Sequence, residues 1–320
     1  MFIPSYWAKH ASEGARTLKM GSGAHHLIEA RRCTVQLSTG RLYLDAVASP
    51  STALFGYDSP PLAATDEATV KGMLSALAPG YRCLAVTQSF ISAAGFAARL
   101  GRWGTRGGAR VAQINALEGE PTEDVDVVVA YENETLGRTG DWLASMAWGR
   151  TPDLVVIGET LALGLPFGAV LARNDFLRPR QLWSERARSA TPAALERVAA
   201  AVAMVLREGL LAQGRDLANY LMARLLAMRA NLPQIENIGG TGLSVRLGFA
   251  PPLRSTQIRR RMCERGVLTG VDAAGRLALD LPLAMRIAEI DVITGALRAC
   301  ILDLPLASAS AWCAACRDGD

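Results

Sequence analysis

The fold of this chain is decided at residues 125–173, where the sequence reads VDVVVAYENETLGRTGDWLASMAWGRTPDLVVIGETLALGLPFGAVLAR. Two short β-branched runs, at 125–130 and 153–158, are each bounded by polar and turn residues, a composition typical of buried strands. Gly164-Leu165-Pro166 then breaks the chain before a third apolar run at 168–172. The stretch therefore predicts the order strand, loop, helix, strand, turn, strand.

Three segments of this stretch resemble a known family: GRTG at 137–140, PDLVVIGE at 152–159 and GLPFGAVLAR at 164–173. They look like the core signature of class III, fold type I, pyridoxal-phosphate aminotransferases. In that family the cofactor lysine directly follows the glycine that stands here as Gly158, and this chain has Glu159 instead. A carboxylate cannot form the Schiff base that holds the cofactor, and its charge would repel the cofactor's phosphate.

Other cofactor positions implied by the resemblance also differ. The family holds the phosphate at a strand-to-helix turn of small residues, because a helix N-terminus offers free N–H donors. That turn here is Thr87-Gln88-Ser89-Phe90, in which Ser89 remains as a donor and Phe90 adds bulk. Downstream, counting back from Pro192 places Ala187 at a phosphate-binding threonine of the family and Thr191 at an asparagine, so that the hydroxyl is displaced.

The position of the acidic partner of the cofactor ring leaves two alternatives. Counting back from GRTG places Ala130 where the family has the aspartate that pairs with the pyridinium nitrogen. Glu132 and Glu134 follow closely enough to supply an acidic replacement, or else they belong to a solvated loop. In the C-terminal part, RLALDLPLA at 276–284 stands where the family has a substrate-binding arginine, and its central charge, Asp280, would repel a substrate carboxylate.

Composition indicates a globular protein and argues against several function classes. Half of the residues are hydrophobic and 20% are charged, with a net charge of only +4. The one basic run, at 259–261, is expected to be a solvated helix face, so we expect no nucleic-acid partner. No apolar run of transmembrane length is free of charges or of Gly/Pro, so we expect no membrane association.

Cysteine and histidine usage favours a cytoplasmic protein without a metal. The six cysteines are unevenly spaced and the N-terminus carries no secretory signal, which favours a reducing, cytoplasmic setting. The three histidines, His10, His25 and His26, lack partners at ligand spacing, so we expect no metal site.

We expect an α/β protein with a truncated fold type I aminotransferase-like large domain, a mostly parallel sheet, and a small α+β domain built from both chain ends. The predicted bounds are 1–45 for an irregular N-terminal arm and a hairpin of the small domain, 46–212 for the reduced large domain, 213–304 for the C-terminal small domain and 305–320 for a tail. Truncation is inferred because the segment between Leu100 and Val129 is much shorter than the corresponding segment of the family.

The resemblance, with its cofactor positions altered, predicts an aminotransferase-like pseudoenzyme that binds no pyridoxal phosphate covalently. It would act as a non-catalytic subunit or scaffold in a biosynthetic pathway, as a homodimer or as a heterodimer with an active relative. The alternative is a repurposed enzyme that works without the cofactor, through Glu132, Glu134 and Glu159 and a small-molecule ligand in the altered pocket. A true cofactor enzyme would need another lysine, and the chain has only Lys9, Lys19 and Lys71.

Overall fold

The computed structural model describes residues 17–20, 23–47, 54–58, 60–104, 110–122, 124–176, 189–249 and 253–303. Ala187, one of the predicted cofactor positions, lies outside these ranges. The strands are β1 Thr17–Met20, β2 Gly23–Arg31, β3 Thr34–Leu37, β4 Leu42–Asp45, β5 Tyr81–Thr87, β6 Val111–Asn115, β7 Val127–Glu132, β8 Leu154–Ile157, β9 Gly168–Arg173, β10 Ile235–Thr241, β11 Ser244–Phe249, β12 Val267–Leu268, β13 Gly270–Val271 and β14 Leu277–Asp280. The helices are α1 Glu67–Leu77, α2 Phe90–Gly104, α3 Pro192–Glu208, α4 Leu210–Asn231, α5 Leu253–Glu264 and α6 Ile287–Leu302.

The largest layer is a mixed five-stranded sheet in the order β5-β9-β8-β7-β6. β6, β7 and β8 run parallel, whereas β9 is antiparallel to both β8 and β5. Four of the five strands, β5, β6, β7 and β8, therefore run in the same direction, and β9 is the exception. The reason is the short connection 158–167, because a parallel return needs a crossover of a dozen or more residues.

Both faces of this sheet are buried, which explains why its strands are continuous apolar runs. Alternate residues of β7 and β8, such as Val129 and Val156, face the apolar side of α2 at Phe96 and Ala97. The residues between them face the main core with α3 and α4, and Val155 is one of these. Period-two alternation thus distributes the apolar residues of these strands between two cores, one on each face of the sheet.

The helix predicted between β7 and β8 is wrong. The chain there forms turns and only the short 3₁₀ helix Ala144–Ala147. Gly137 and Gly140 adopt φ of 72° and 90°, a left-handed conformation that interrupts a right-handed helix. The Ser145 N–H donates to the Glu132 side chain, so a side chain replaces the helical carbonyl acceptor.

Two smaller sheets contain the segments from the chain ends. One has the order β1-β2-β3-β4-β12, and the other, which is antiparallel throughout, has the order β10-β11-β14-β13. Part of the N-terminal arm, expected to be irregular, is instead strand β1, which pairs with β2. The parallel pairing of β4 with β12 joins the two ends of the chain in one sheet, while the domain bounds stay a prediction.

α3 and α4 begin and end where local chemistry requires. The Thr191 side chain accepts a hydrogen bond from the Ala194 N–H, and Pro192 occupies the first turn of α3. Gly209 takes φ 63° between the two helices, a conformation that suits glycine. Among the described helices, none combines the length and the apolar character needed to cross a membrane.

Candidate functional site

The carboxyl ends of β7 and β8 lie side by side, because the two strands are parallel and Glu132 is in register with Ile157. Asn133 and Gly158 follow directly and are in close contact. A Cβ on Gly158 would lie 2.4 Å from Asn133 Oδ1 and 3.0 Å from Phe90 Cδ2, so a larger residue here would require the Asn133 side chain to move. Thr160 Oγ1 donates to the Asn133 carbonyl at 2.7 Å and thereby holds the two strand ends together.

Glu159 begins the turn that leaves β8. Its carbonyl oxygen accepts a hydrogen bond from Gly164 N at 2.9 Å, which closes the turn. Its side chain is half-buried, and within the described part of the chain its buried Oε2 has no hydrogen-bond partner. A carboxylate oxygen in this state lacks compensation for its lost water.

Ala130 and Ser89 are both used by the fold itself. Ala130 is fully buried in the middle of β7, between Ile114 of β6 and Val155 of β8. Ser89 precedes α2, and its Oγ accepts a hydrogen bond from Ser92 N at 3.1 Å. The hydroxyl that the sequence offers as a phosphate ligand thus caps its own helix.

Glu132 is fully buried at the end of β7. Its Oε1 accepts from Ser145 N at 2.6 Å, and its Oε2 accepts from Thr135 Oγ1 at 2.5 Å. Burial raises the pKa of this carboxyl above its usual value, and the hydrogen bonds from Thr135 and Ser145 oppose that rise. Both oxygens therefore hold the loop that follows β7.

An open cavity of about 950 Å³ lies between the ends of β6 and β7 and the antiparallel sheet of β11, β14 and β13. Charges of both signs line it. The charged lining residues are Glu118, Glu134, Asp272, Asp280, Arg246, Arg259 and Arg276. Neither Glu132 nor Glu159 lines this cavity, so of the three glutamates proposed for a repurposed site only Glu134 faces it.

Arg246 organises the cavity floor, although it was not among the residues predicted from the sequence. It is only 4% exposed, and its Nη1 donates to Asp280 Oδ1 at 2.9 Å. Its Nη2 lies 3.6 Å from Glu134 Oε2. The signal that could have revealed it is a single arginine inside the otherwise apolar strand SVRLGF, because an unpaired charge there is costly.

Glu134 is the half-buried acid of this network. Burial raises its pKa above the usual value, and the neighbouring Asp280 raises it further, while Arg246 and Arg138 lower it. Arg138 lies behind the floor, fully buried, and donates to the Glu134 carbonyl at 2.7 Å and to the Leu281 carbonyl at 3.1 Å. Two carboxylates and two guanidinium groups therefore meet where the two sheets join.

Comparison with known proteins identifies the family of this chain. A family model described as aminotransferase class-III matches residues 129–301, more than half of the chain. The chain belongs to the class-III aminotransferase family.

Two relatives illustrate the extent of the sequence match. Ornithine aminotransferase 1 of Staphylococcus aureus is 30% identical over 164 residues, which are 50% of this chain and 40% of that protein. Diaminobutyrate–2-oxoglutarate aminotransferase of Rhizobium meliloti is 29% identical over 195 residues, which are 55% of this chain and 41% of that protein. The chain thus spans about two fifths of the length of these curated relatives.

Solved structures agree on the architecture. A phospholyase from Arthrobacter in complex with phosphoethanolamine superposes with a TM-score of 0.78 at 16% identity, covering 94% of this chain and 99% of that one. Acetylornithine aminotransferase from Elizabethkingia anophelis superposes with a TM-score of 0.73 at 18% identity, covering 94% and 98%. At such identities the likeness establishes the fold, which is that of fold type I aminotransferases.

Proposed function

We propose that this chain is an aminotransferase-like protein that does not hold pyridoxal phosphate through a Schiff base. It acts as a non-catalytic subunit or scaffold in a biosynthetic pathway, with a reduced large domain. The observation that carries the proposal is Glu159, which directly follows Gly158 at the end of β8. A carboxylate there does not fit a cofactor that must be held by an amine.

The remaining side chains support the same reading. Lys71, in α1, pairs through its Nζ with Glu67 Oε1 at 2.6 Å, and Lys19 lies in β1, so neither directly follows Gly158 at the end of β8. Ala130 offers no carboxylate to a pyridinium nitrogen, and the Ser89 hydroxyl is occupied at the start of α2. This set of residues does not suit covalently held pyridoxal phosphate.

The experiment is a titration of the purified wild-type protein with pyridoxal phosphate, followed by borohydride reduction and intact-mass measurement. We expect no visible imine band and no reduced adduct at a defined site. A stoichiometric adduct mapped to one lysine would return the protein to the cofactor-dependent aminotransferases. Sparse labelling spread over several lysines is the background that peptide mapping separates from such a site.

The role as a subunit has its own test. Fold type I enzymes assemble as dimers with the active site at the interface, so a family member without the cofactor retains a surface suited to a homodimer or to a heterodimer with an active relative. Affinity capture of the full chain, followed by native mass spectrometry, should give a defined complex with a biosynthetic enzyme. A homodimer with its own turnover would contradict the non-catalytic role.

A repurposed, cofactor-independent enzyme is the second candidate, and the charged cavity favours it. Glu134 faces that cavity with its pKa raised by burial, a direction of shift that suits a carboxyl acting as a general acid or base. Substrate-dependent turnover that is lost in Glu134→Gln but kept in Glu118→Gln, at the same cavity, would support this candidate. Turnover unchanged in both Glu134→Gln and Glu159→Gln would remove these carboxyls from the mechanism.

A further inference from the structure

Phe90 occupies the gap between the first turn of α2 and the ends of β7 and β8. Its ring packs edge-on against Tyr131, with ring centroids 5.3 Å apart and an interplanar angle of 74°. On the other side it approaches Gly158, where even a Cβ would lie 3.0 Å from the ring. The Tyr131 hydroxyl donates to Gln113 Oε1, which holds that ring in place as well.

The turn that carries Phe90 has little room to move away. Ser89 O accepts from Ala93 N at 3.1 Å and from Thr87 Oγ1 at 2.8 Å. A Cβ on Gly168 would lie 2.4 Å from Ser89 O, so the turn is packed closely against the start of β9. The sheet on one side and the closely packed turn on the other therefore restrict movement of the Phe90 ring.

A helix N-terminus such as the start of α2 generally favours anion binding, because its free amides and the helix dipole attract negative charge. Here one of these amides, Ser92 N, is already bonded to the Ser89 hydroxyl, and Ala93 N makes the first regular helical bond to the Ser89 carbonyl. An apolar ring beside the remaining first turn would strip water from a phosphate without replacing its hydrogen bonds.

We infer that the Phe90 ring, independently of the residue at position 159, excludes a phosphate group from the α2 N-terminus. This inference rests on the proposed function, since it explains a second barrier to the same cofactor. It implies that a lysine introduced at position 159 does not restore binding by itself. Removal of the ring would be needed as well.

The test compares Glu159→Lys with the double variant Glu159→Lys/Phe90→Ser. Each is incubated with pyridoxal phosphate or with pyridoxal, which lacks the phosphate, then reduced with borohydride and mapped by peptide mass. We expect the double variant to give about tenfold or more adduct at position 159 with pyridoxal phosphate, the range expected from relief of overpacking. The gain with pyridoxal should be clearly smaller.

Two control variants test whether the gain in adduct requires removal of the Phe90 ring itself. Phe96 lies about 1.7 turns further along α2, is 8% exposed and packs on the same face of the sheet, so Glu159→Lys/Phe96→Ala loosens the helix without opening its first turn. Glu159→Lys/Phe90→Leu retains bulk at the gap. Both should behave like Glu159→Lys. Phe90→Ala replaces Phe90→Ser if circular dichroism shows that the serine variant is unfolded.

Several results would overturn the inference. One is an adduct in Glu159→Lys equal to that in the double variant. Another is an equal gain for pyridoxal and for pyridoxal phosphate, which would mean that the ring blocks something other than the phosphate. An adduct in the Phe96 control as large as in the Phe90 variant would also do so. None of these affects the proposed absence of a Schiff base, which fails if the wild type itself forms a site-specific adduct.

Discussion

At the scale of single residues, Glu132 links burial to pH. Because its pKa is raised in the folded protein, the neutral carboxyl is favoured there. The stability that this gives is fully present below the pKa of the unfolded chain and is lost as pH rises through the folded value. Glu132→Gln keeps an acceptor for Ser145 N, so we expect higher stability than wild type at about pH 8 and little change near about pH 4. Urea denaturation at both pH values measures this.

Two further variants serve as controls for the effect of Glu132→Gln on stability. Glu132→Ala leaves Ser145 N and Thr135 Oγ1 without their acceptor and should cost about 1–3 kcal/mol at about pH 4. Its cost relative to the wild type should be smaller at about pH 8, where ionisation of Glu132 destabilises the wild type itself. Glu236→Gln, on an exposed position of β10, controls for loss of a surface charge. If Glu132→Gln were destabilising by the same amount at both pH values, titration of this carboxyl would not be coupled to folding.

At the scale of an element, Thr191 sets the start of α3. Its side chain accepts from Ala194 N at 3.3 Å while its own backbone is extended, as an N-cap requires. Thr191→Ala should lower the free energy of unfolding by about 1 kcal/mol, measured by urea denaturation. Thr191→Ser keeps the hydroxyl and should restore most of the loss. Equal losses in the two variants would show that the methyl group, and not the cap, matters.

Elements were predictable where a local pattern decides them. The strands predicted at 125–130, 153–158 and 168–172 were found within two residues of their bounds, since their composition and flanking turn residues are local. The helix expected between β7 and β8 was wrong because Gly137, Gly140 and the buried Glu132 side chain impose turns. The local composition of this segment, with its alanine and tryptophan residues, favours a helix and does not reveal these tertiary contacts.

At the scale of the whole molecule, Arg246 joins the antiparallel sheet to the loop that follows β7. Removing its charge leaves Asp280 buried without its closest partner and weakens the contact with Glu134. Arg246→Met should cost about 3–5 kcal/mol in the free energy of unfolding at neutral pH. The loss should be smaller near about pH 5, where the raised pKa of Glu134 leaves more of that carboxyl neutral.

The double variant Arg246→Met/Asp280→Leu tests whether the cost comes from the uncompensated charge. Replacing both partners by apolar side chains removes that charge, so most of the loss should be recovered, as chemical denaturation will show. A double variant no more stable than Arg246→Met would mean that packing of the guanidinium, and not charge pairing, supports the sheet junction.

The sequence by itself determined which runs become buried strands, which segments resemble a family and which residue stands after Gly158, since these depend on local composition and order. Only the tertiary structure decided that β9 turns back antiparallel and that Phe90 lies against Tyr131 and Gly158. It also decided that Glu134 and Asp280 meet at Arg246 while Glu132 is fully buried and bonded to Thr135 and Ser145. The physical reason is that charge pairing and burial act between residues brought together by packing, whatever their separation along the chain.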